Sequence, residues 1–582
     1  MATENLLEEF PPVSTPSWED AIRKDLKGAD YAKKLIWQSG EGLAVKPYYR
    51  SEDVANLQYP LALPGDFPYA RSDRATGDWR IREEIDIADP EAANRAATAA
   101  VVAGAEEIAF SNTVVKNLSD LGLLLANLKE IPLHFEDAGE PLLGLLMERL
   151  SMRPQSAPVS AGWNPLTNSE FAAKVAGSAL TEFVPFTIHA EDFEESGATA
   201  VEEVGFALAA GIDYLAEMQS RQIGIDRAAE LVAFSFAIGG SFFFQIAKLR
   251  AFRLLWARAV ESFGGSAESA KAHIYARTSH WNETVYDPHV NVLRGTTEAM
   301  SAVLGGANSV VVAPFDECYK RPDEDSRRLA RNTQILLKQE SHLAKVADPG
   351  AGSYSLEAIT DFVASEGWKR MQEIEAADGY RKAQAQGMIS RALEKSMAAR
   401  EKAVLSRRRV FTGTNQFANL NERALDRIDS RILSGKRRGV EAYEQLRLRT
   451  ERHAAKTGKL PRVLLAEIGD VKMRGARSGF AANFFGCAGF EIVTQRFDNC
   501  EEIVAADAGV IVLCSSDAEY LALATELLEK MKARGRQTPV IVAGAPETAD
   551  QLAAAGVADF VNVRSNPIEL LSKWQRLLGV EE

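Results

Sequence analysis

From Pro461 onward the chain repeats one pattern: a short apolar run, then a stretch of helical length. The runs VLLAEIG, FEIVTQ, VIVLCSS, VIVAGA and FVNV are followed in turn by ARSGFAANFFG, CEEIVAADAG, EYLALATELLEKMKARG, TADQLAAAG and IELLSKWQRLLG. Five βα units in succession leave few topologies open, because parallel strands need crossovers and the crossovers cover the sheet. They predict a flavodoxin-like, doubly wound parallel sheet. Between about Glu84 and Glu317 the alternation recurs: EIDI before AANRAATAAVVAG, EEIAF before a leucine-rich helix, then PLHF, PFTIHA, VAFSFAIGG and SVVVAPFDE. So many alternations predict a (βα)8 barrel of the TIM type. The fold class is α/β.

A length of 582 residues exceeds one ordinary core, so a large and a smaller domain are expected. The divisions expected are an arm over residues 1–60, a barrel over 61–393, a basic helical linker over 394–460 and the sheet domain over 461–582. The arm is rich in Pro and Trp, and such arms pack on another domain or subunit. The linker is crowded with Lys and Arg (SRRR, GKRRG, RLRTERH), which reads first as a solvated helix pair and second as a polyanion site.

With Lys+Arg 67 against Asp+Glu 81, the net charge of −14 argues against nucleic acid or an anionic membrane as partner. The longest apolar stretch, Leu231 to Ala247, is broken by Ser235, Gly239, Gly240, Ser241 and Gln245, and falls short of the roughly 20 residues a membrane helix needs. A buried strand and turn is expected there. The segment Met1 to Pro12 carries Glu4, Glu8 and Glu9 without a basic residue, unlike a leader peptide. Cys318, Cys487, Cys500 and Cys514 form no C-x-x-C pair, which suits a reducing compartment. The cytoplasm is the expected location.

Several strings resemble the methylmalonyl-CoA mutase family. They are DLKGADY and LIWQSGEGLAVKPYYRSEDV in the arm, EESGATAVEEVGFALAAGIDYL, QIAKLRAFRLLWARA, TEAMSAVLGGANS and RLARNTQILLKQESHLAKVADPGAGSYSLE in the barrel, and FTGTNQFANLNE after it. The C-terminal domain resembles that family's cobalamin-binding domain. The resemblance implies adenosylcobalamin held between two domains, and a radical rearrangement of succinyl-CoA and methylmalonyl-CoA in a barrel that excludes water.

Against that pattern the chemistry is depleted. The family's cobalamin loop reads Asp-x-His-x-x-Gly, its histidine ligating cobalt; here it reads Asp470-Val471-Lys472-Met473-Arg474-Gly475. The ammonium at Lys472 has no free lone pair at neutral pH with which to bind a metal. No substitute imidazole exists in the sheet domain, since the histidines are His134, His189, His273, His280, His289, His342 and His453. Glu467 matches a family lysine after a one-residue gap. The small residues that admit the cofactor's nucleotide tail are matched by Leu513-Cys514-Ser515 and Ala543-Gly544, where added side chains narrow the channel. Asp470, Gly475, Ser515 and Gly544 survive, and caps and tight turns account for them.

In the barrel, the family histidine facing the migrating carbonyl is matched by Asp192 in Ala190-Glu191-Asp192. A carboxylate offers no proton there and repels an oxyanion. His189 is a weaker substitute, since strand alternation turns it elsewhere. A family tyrosine is matched by Arg74, and from Gln155 to Ser220 there is no arginine to clamp a substrate carboxylate.

The expectation is a non-catalytic subunit paired as a heterodimer with a homologous catalytic large subunit, which binds the adenosylcobalamin and, in the complex, the acyl-CoA. This chain is expected to hold no cofactor or metal of its own. Two alternatives stay open: a competent acyl-CoA mutase with atypical ligands, and a CoA- or corrin-binding regulator using Lys436, Arg437 and Arg438 for CoA phosphates.

Overall fold

The computed structural model describes residues 13–57, 62–136, 138–180, 182–433, 435 and 437–581. The leader expectation for Met1 to Pro12 and the phosphate-binding expectation for Lys436 therefore lie outside the described residues. The described part of the arm holds a helix, Thr15–Asp25, capped by the Ser14 hydroxyl, and a two-stranded ribbon, β1 (Trp37–Gln38) and β2 (Ala44–Val45). The ribbon lies on the barrel: Trp37 meets Phe244 edge-on at 6.1 Å, and Glu41 accepts the Ala200 N–H at 2.6 Å.

Eight parallel strands close the barrel in the order β10-β3-β4-β5-β6-β7-β8-β9. They are β3 (Arg80–Asp86), β4 (Glu107–Ser111), β5 (Leu133–Phe135), β6 (Val159–Trp163), β7 (Phe183–His189), β8 (Val232–Ile238), β9 (His273–Thr278) and β10 (Ser309–Val311). The stretch Leu231 to Ala247 is β8, a turn, and the start of the helix Phe242–Ser262. Among the described residues no helix is long and apolar enough to cross a membrane.

Alternation sorts each strand's side chains. Ile85, Ile108, Phe110, Phe186, Ile188, Phe234 and Phe236 pack outward into one core with the helices. That core is tightest where the helices Ala200–Ser220 and Tyr354–Glu375 cross. A Cβ on Gly205 would lie 2.7 Å from Cβ of Arg370, and one on Gly367 would lie 2.8 Å from Cγ1 of Val204. The two glycines set how closely the backbones approach.

The second sheet is fully parallel, in the order β12-β11-β13-β14-β15. Its strands are β11 (Arg462–Glu467), β12 (Glu491–Arg496), β13 (Val510–Cys514), β14 (Val540–Val542) and β15 (Asp559–Phe560). The central β13 is buried along its whole length, whereas the edge strand β12 is half exposed, as its sequence EIVTQR requires.

The linker corrects the expectation of a solvated helix pair. The helices Met388–Leu405 and Glu441–Thr457 are joined by a largely irregular segment that packs on the end of β9. Trp281, just past β9, shares a core with Phe411, Val440, Tyr443 and the sheet residues Val463 and Val512. Arg438 is buried against Glu444 at 2.9 Å, and the Arg447 guanidinium lies 4.1 Å over the Tyr286 ring. Arg438 is internal because its counter-charge Glu444 is, and Arg447 donates to the main-chain carbonyls of Asn419 and Glu422.

Candidate functional site

The inward positions of the barrel strands are polar, although barrels of this type are commonly filled with branched apolar residues. Arg82 on β3 donates to Glu107 on β4 at 2.7 Å, lies 3.7 Å from Glu136, and places its guanidinium 3.9 Å over the Tyr275 ring of β9. His134 on β5 pairs through Nδ1 with Ser160 on β6 at 2.8 Å and through Nε2 with Glu136 at 3.3 Å. Arg82, Glu107 and His134 are all buried. Nearer the C-terminal mouth, Arg277 bridges Glu84 at 3.1 Å and Glu317 at 2.8 Å, and Nδ1 of His280 lies 2.8 Å from Glu317.

His189 joins this set, contrary to the expectation that alternation turns it away. Its Nε2 contacts the Gly162 carbonyl at 2.6 Å and its Nδ1 contacts Glu191 at 3.0 Å, while Ser235 donates to the other Glu191 oxygen. Burial alone would lower the His189 pKa; the charge and hydrogen bond of Glu191, with the Gly162 carbonyl, outweigh burial and raise it to about 10. The ring is therefore cationic at neutral pH, with both N–H groups committed inside the protein. Burial likewise opposes ionisation of Glu136, but His134 and Arg82 hold it well below the usual carboxylate range.

The two sequence-picked barrel positions lie elsewhere. Asp192 is exposed on the short helix Glu191–Glu195, and it is Glu191, one residue earlier, that reaches the interior. Arg74 sits at the opposite, N-terminal end of the barrel, donating to the carbonyls of Asp78 at 2.9 Å and Ala307 at 2.7 Å and pairing with Asp73 at 2.8 Å. It closes the barrel floor.

The remaining positions do gather, at the carboxyl edge of the second sheet. Asp470 caps the helix Val471–Gly486 through the Met473 N–H at 2.7 Å. Lys472 and Gly475 are exposed on its first turns. Ser515 donates to Glu519 at 2.8 Å, and Gly544 lies over an Arg477–Asp517 pair at 2.9 Å, where a Cβ would come 3.0 Å from Asp517 Oδ1. Glu467 is buried, accepts from Ser478, and pairs with Arg496 at 3.3 Å. Beside them a cleft of about 400 Å³ is lined by Met473, Arg477, Phe480, Asp517, Asn562 and Arg564 among others.

A model of the family described as methylmalonyl-CoA mutase matches residues 169–465, more than half of the chain. The chain belongs to the methylmalonyl-CoA mutase family. It is 36 % identical to a methylmalonyl-CoA mutase small subunit of Porphyromonas gingivalis, with 99 % of each chain covered. It is 32 % identical to that of Streptomyces virginiae, over 99 % of this chain and 98 % of the relative. A probable small subunit of Mycobacterium bovis is 31 % identical over 94 % of each.

Set against the cofactor of the mutase family, the sheet edge does not fit. The loop that resembles the family's cobalamin loop offers an exposed ammonium, Lys472, and a capping carboxylate, Asp470, and the sheet domain has no imidazole. The crevice between β11 and β13 is filled by Ser515 and Glu519, against which Gly469 is packed with a φ of 78°.

The interior residues Arg82, Glu107, His134, Glu136 and Tyr275, and Glu519 in the crevice, were not singled out in the sequence. The available signal was the polar alternation of RIREEID and HIYART, which a barrel turns inward.

Proposed function

We propose that this chain is the non-catalytic small subunit of a heterodimeric mutase that interconverts succinyl-CoA and (R)-methylmalonyl-CoA. The homologous large subunit binds adenosylcobalamin and acyl-CoA and performs the chemistry; this chain stabilises it. The observation that carries the proposal is the cobalt position, where Lys472 stands exposed in a domain without an imidazole. The barrel supports it: Arg82 is paired with Glu107, Arg277 with Glu317 and His189 with Glu191, so these inward charges are engaged by one another. Relatives that carry the small-subunit name over the full length support the pairing. We place the pair in the cytosol, consistent with four buried, unpaired cysteines.

The test is a titration of purified chain with adenosylcobalamin, with and without the large subunit, following corrin absorbance and turnover together. The chain alone is expected to give neither a spectral shift nor turnover, and the mixture both, at one cobalamin per pair. Cobalamin binding with turnover by the chain alone sinks the proposal; binding without turnover favours a corrin-binding regulator.

A further inference from the structure

Open α/β sheets take their ligands outside the carboxyl ends of the strands, where the strand order reverses. In the order β12-β11-β13-β14-β15 that place lies between β11 and β13, flanked by the turns 468–470 and 515–519. One oxygen occupies it. Oε2 of Glu519 accepts the Ser515 hydroxyl at 2.8 Å, the Ser516 hydroxyl at 2.6 Å, the Asp470 N–H at 3.1 Å and the Ser516 N–H at 3.3 Å. Gly469 makes the approach possible, since a Cβ there would stand 2.6 Å from Ser515 Oγ and 2.7 Å from Glu519 Oε2.

Two main-chain N–H groups and two hydroxyls converging on one point form a donor set suited to an oxyanion. A local explanation is a capping box, Ser-x-x-Glu, ahead of the helix Tyr520–Ala533. That motif would engage Ser516 alone. The Asp470 N–H comes from the other side of the crevice, 49 positions away in the chain. The Arg477–Asp517 pair spans the same gap at the rim.

We propose that Glu519 is a built-in surrogate for an anionic ligand: its carboxylate fills the crevice, excludes an external guest, and ties the two turns together without a cofactor. This deepens the reading of the chain as a subunit with no cofactor of its own, and rests on it only for its purpose. The four donors acquire an acceptor from within the chain, so the domain reaches its final shape unliganded. The carboxylate is held ionised by the Ser516 hydroxyl, the Asp470 N–H and the Ser515 hydroxyl, which lower its pKa to about 2.

The test is hydrogen–deuterium exchange on the full-length chain at the Asp470 and Ser516 amides, comparing wild type with Glu519→Ala. Each is measured in sodium acetate and in sodium chloride at equal ionic strength. A tenfold or greater rise in exchange at Asp470 in Glu519→Ala, reversed by acetate but not by chloride, is the expected result. An unchanged Asp470 amide reduces Glu519 to a local cap and overturns the proposal, as does a raised exchange that acetate leaves untouched. Should Glu519→Ala fail to fold, Glu519→Gln serves: its neutral amide still fills the space, so Asp470 exchange is expected to rise without acetate rescue, and wild-type exchange there overturns the proposal. None of these readouts involves the large subunit or turnover, so failure of the subunit reading shows separately.

Discussion

Arg82 and Glu107 meet inside the barrel with both side chains almost wholly out of water. Removing one partner strands a buried charge, so Arg82→Met is expected to lose about 3–5 kcal/mol of stability by denaturant titration, and Arg82→Met with Glu107→Leu to recover most of it. His189 gives a signed pH dependence. Its pKa is raised in the fold, from about 6.5 in the unfolded chain to about 10. Its contribution is therefore complete below about pH 6.5 and is lost as pH rises through about 10. The stability gap between wild type and His189→Gln should narrow across that interval, and a constant gap would contradict the protonated assignment. Which residues occupy the interior was poorly legible in the sequence. Arg82 meets Tyr275 and Arg277 meets Glu84 only because the barrel closes, and no local spacing reports that closure. The sheet-domain positions were legible because Asp470, Lys472 and Gly475 share one turn and its following helix.

At the scale of elements, helices and strands were readable where apolar runs were long. VAFSFAI and VIVLC are strands of nearly continuous apolar sequence. By contrast β6 (VSAGW) and β9 (HIYART) are broken by small or polar residues and carry polar side chains inward, so neither stood out as a strand, although the count of eight implied them. The crossing of Ala200–Ser220 with Tyr354–Glu375 depends on Gly205, whose place a longer side chain would contest with Arg370. Gly205→Leu is expected to cost about 1–3 kcal/mol by overpacking. A thermal melt within error of wild type would show that the two helices can part without loss.

At the scale of the whole molecule, two sets of cores meet around Trp281, which is buried between the barrel end, the linker and the sheet domain. The Arg400 guanidinium lies 4.2 Å over its ring, and Gly439 packs against it. Truncating this contact should uncouple the parts, so Trp281→Ala is expected to split one calorimetric transition into two. A single transition at lower temperature would mean that the coupling is spread more widely. Interior pairs such as Arg82–Glu107 are walled off from bulk ions, and dissolved salt screens exposed charges over about 10 Å at 0.1 M but reaches enclosed pairs far less. A strong brine would thus loosen what this chain holds on its surface long before it loosens what it holds inside, and a purification step in high salt should deliver it still folded.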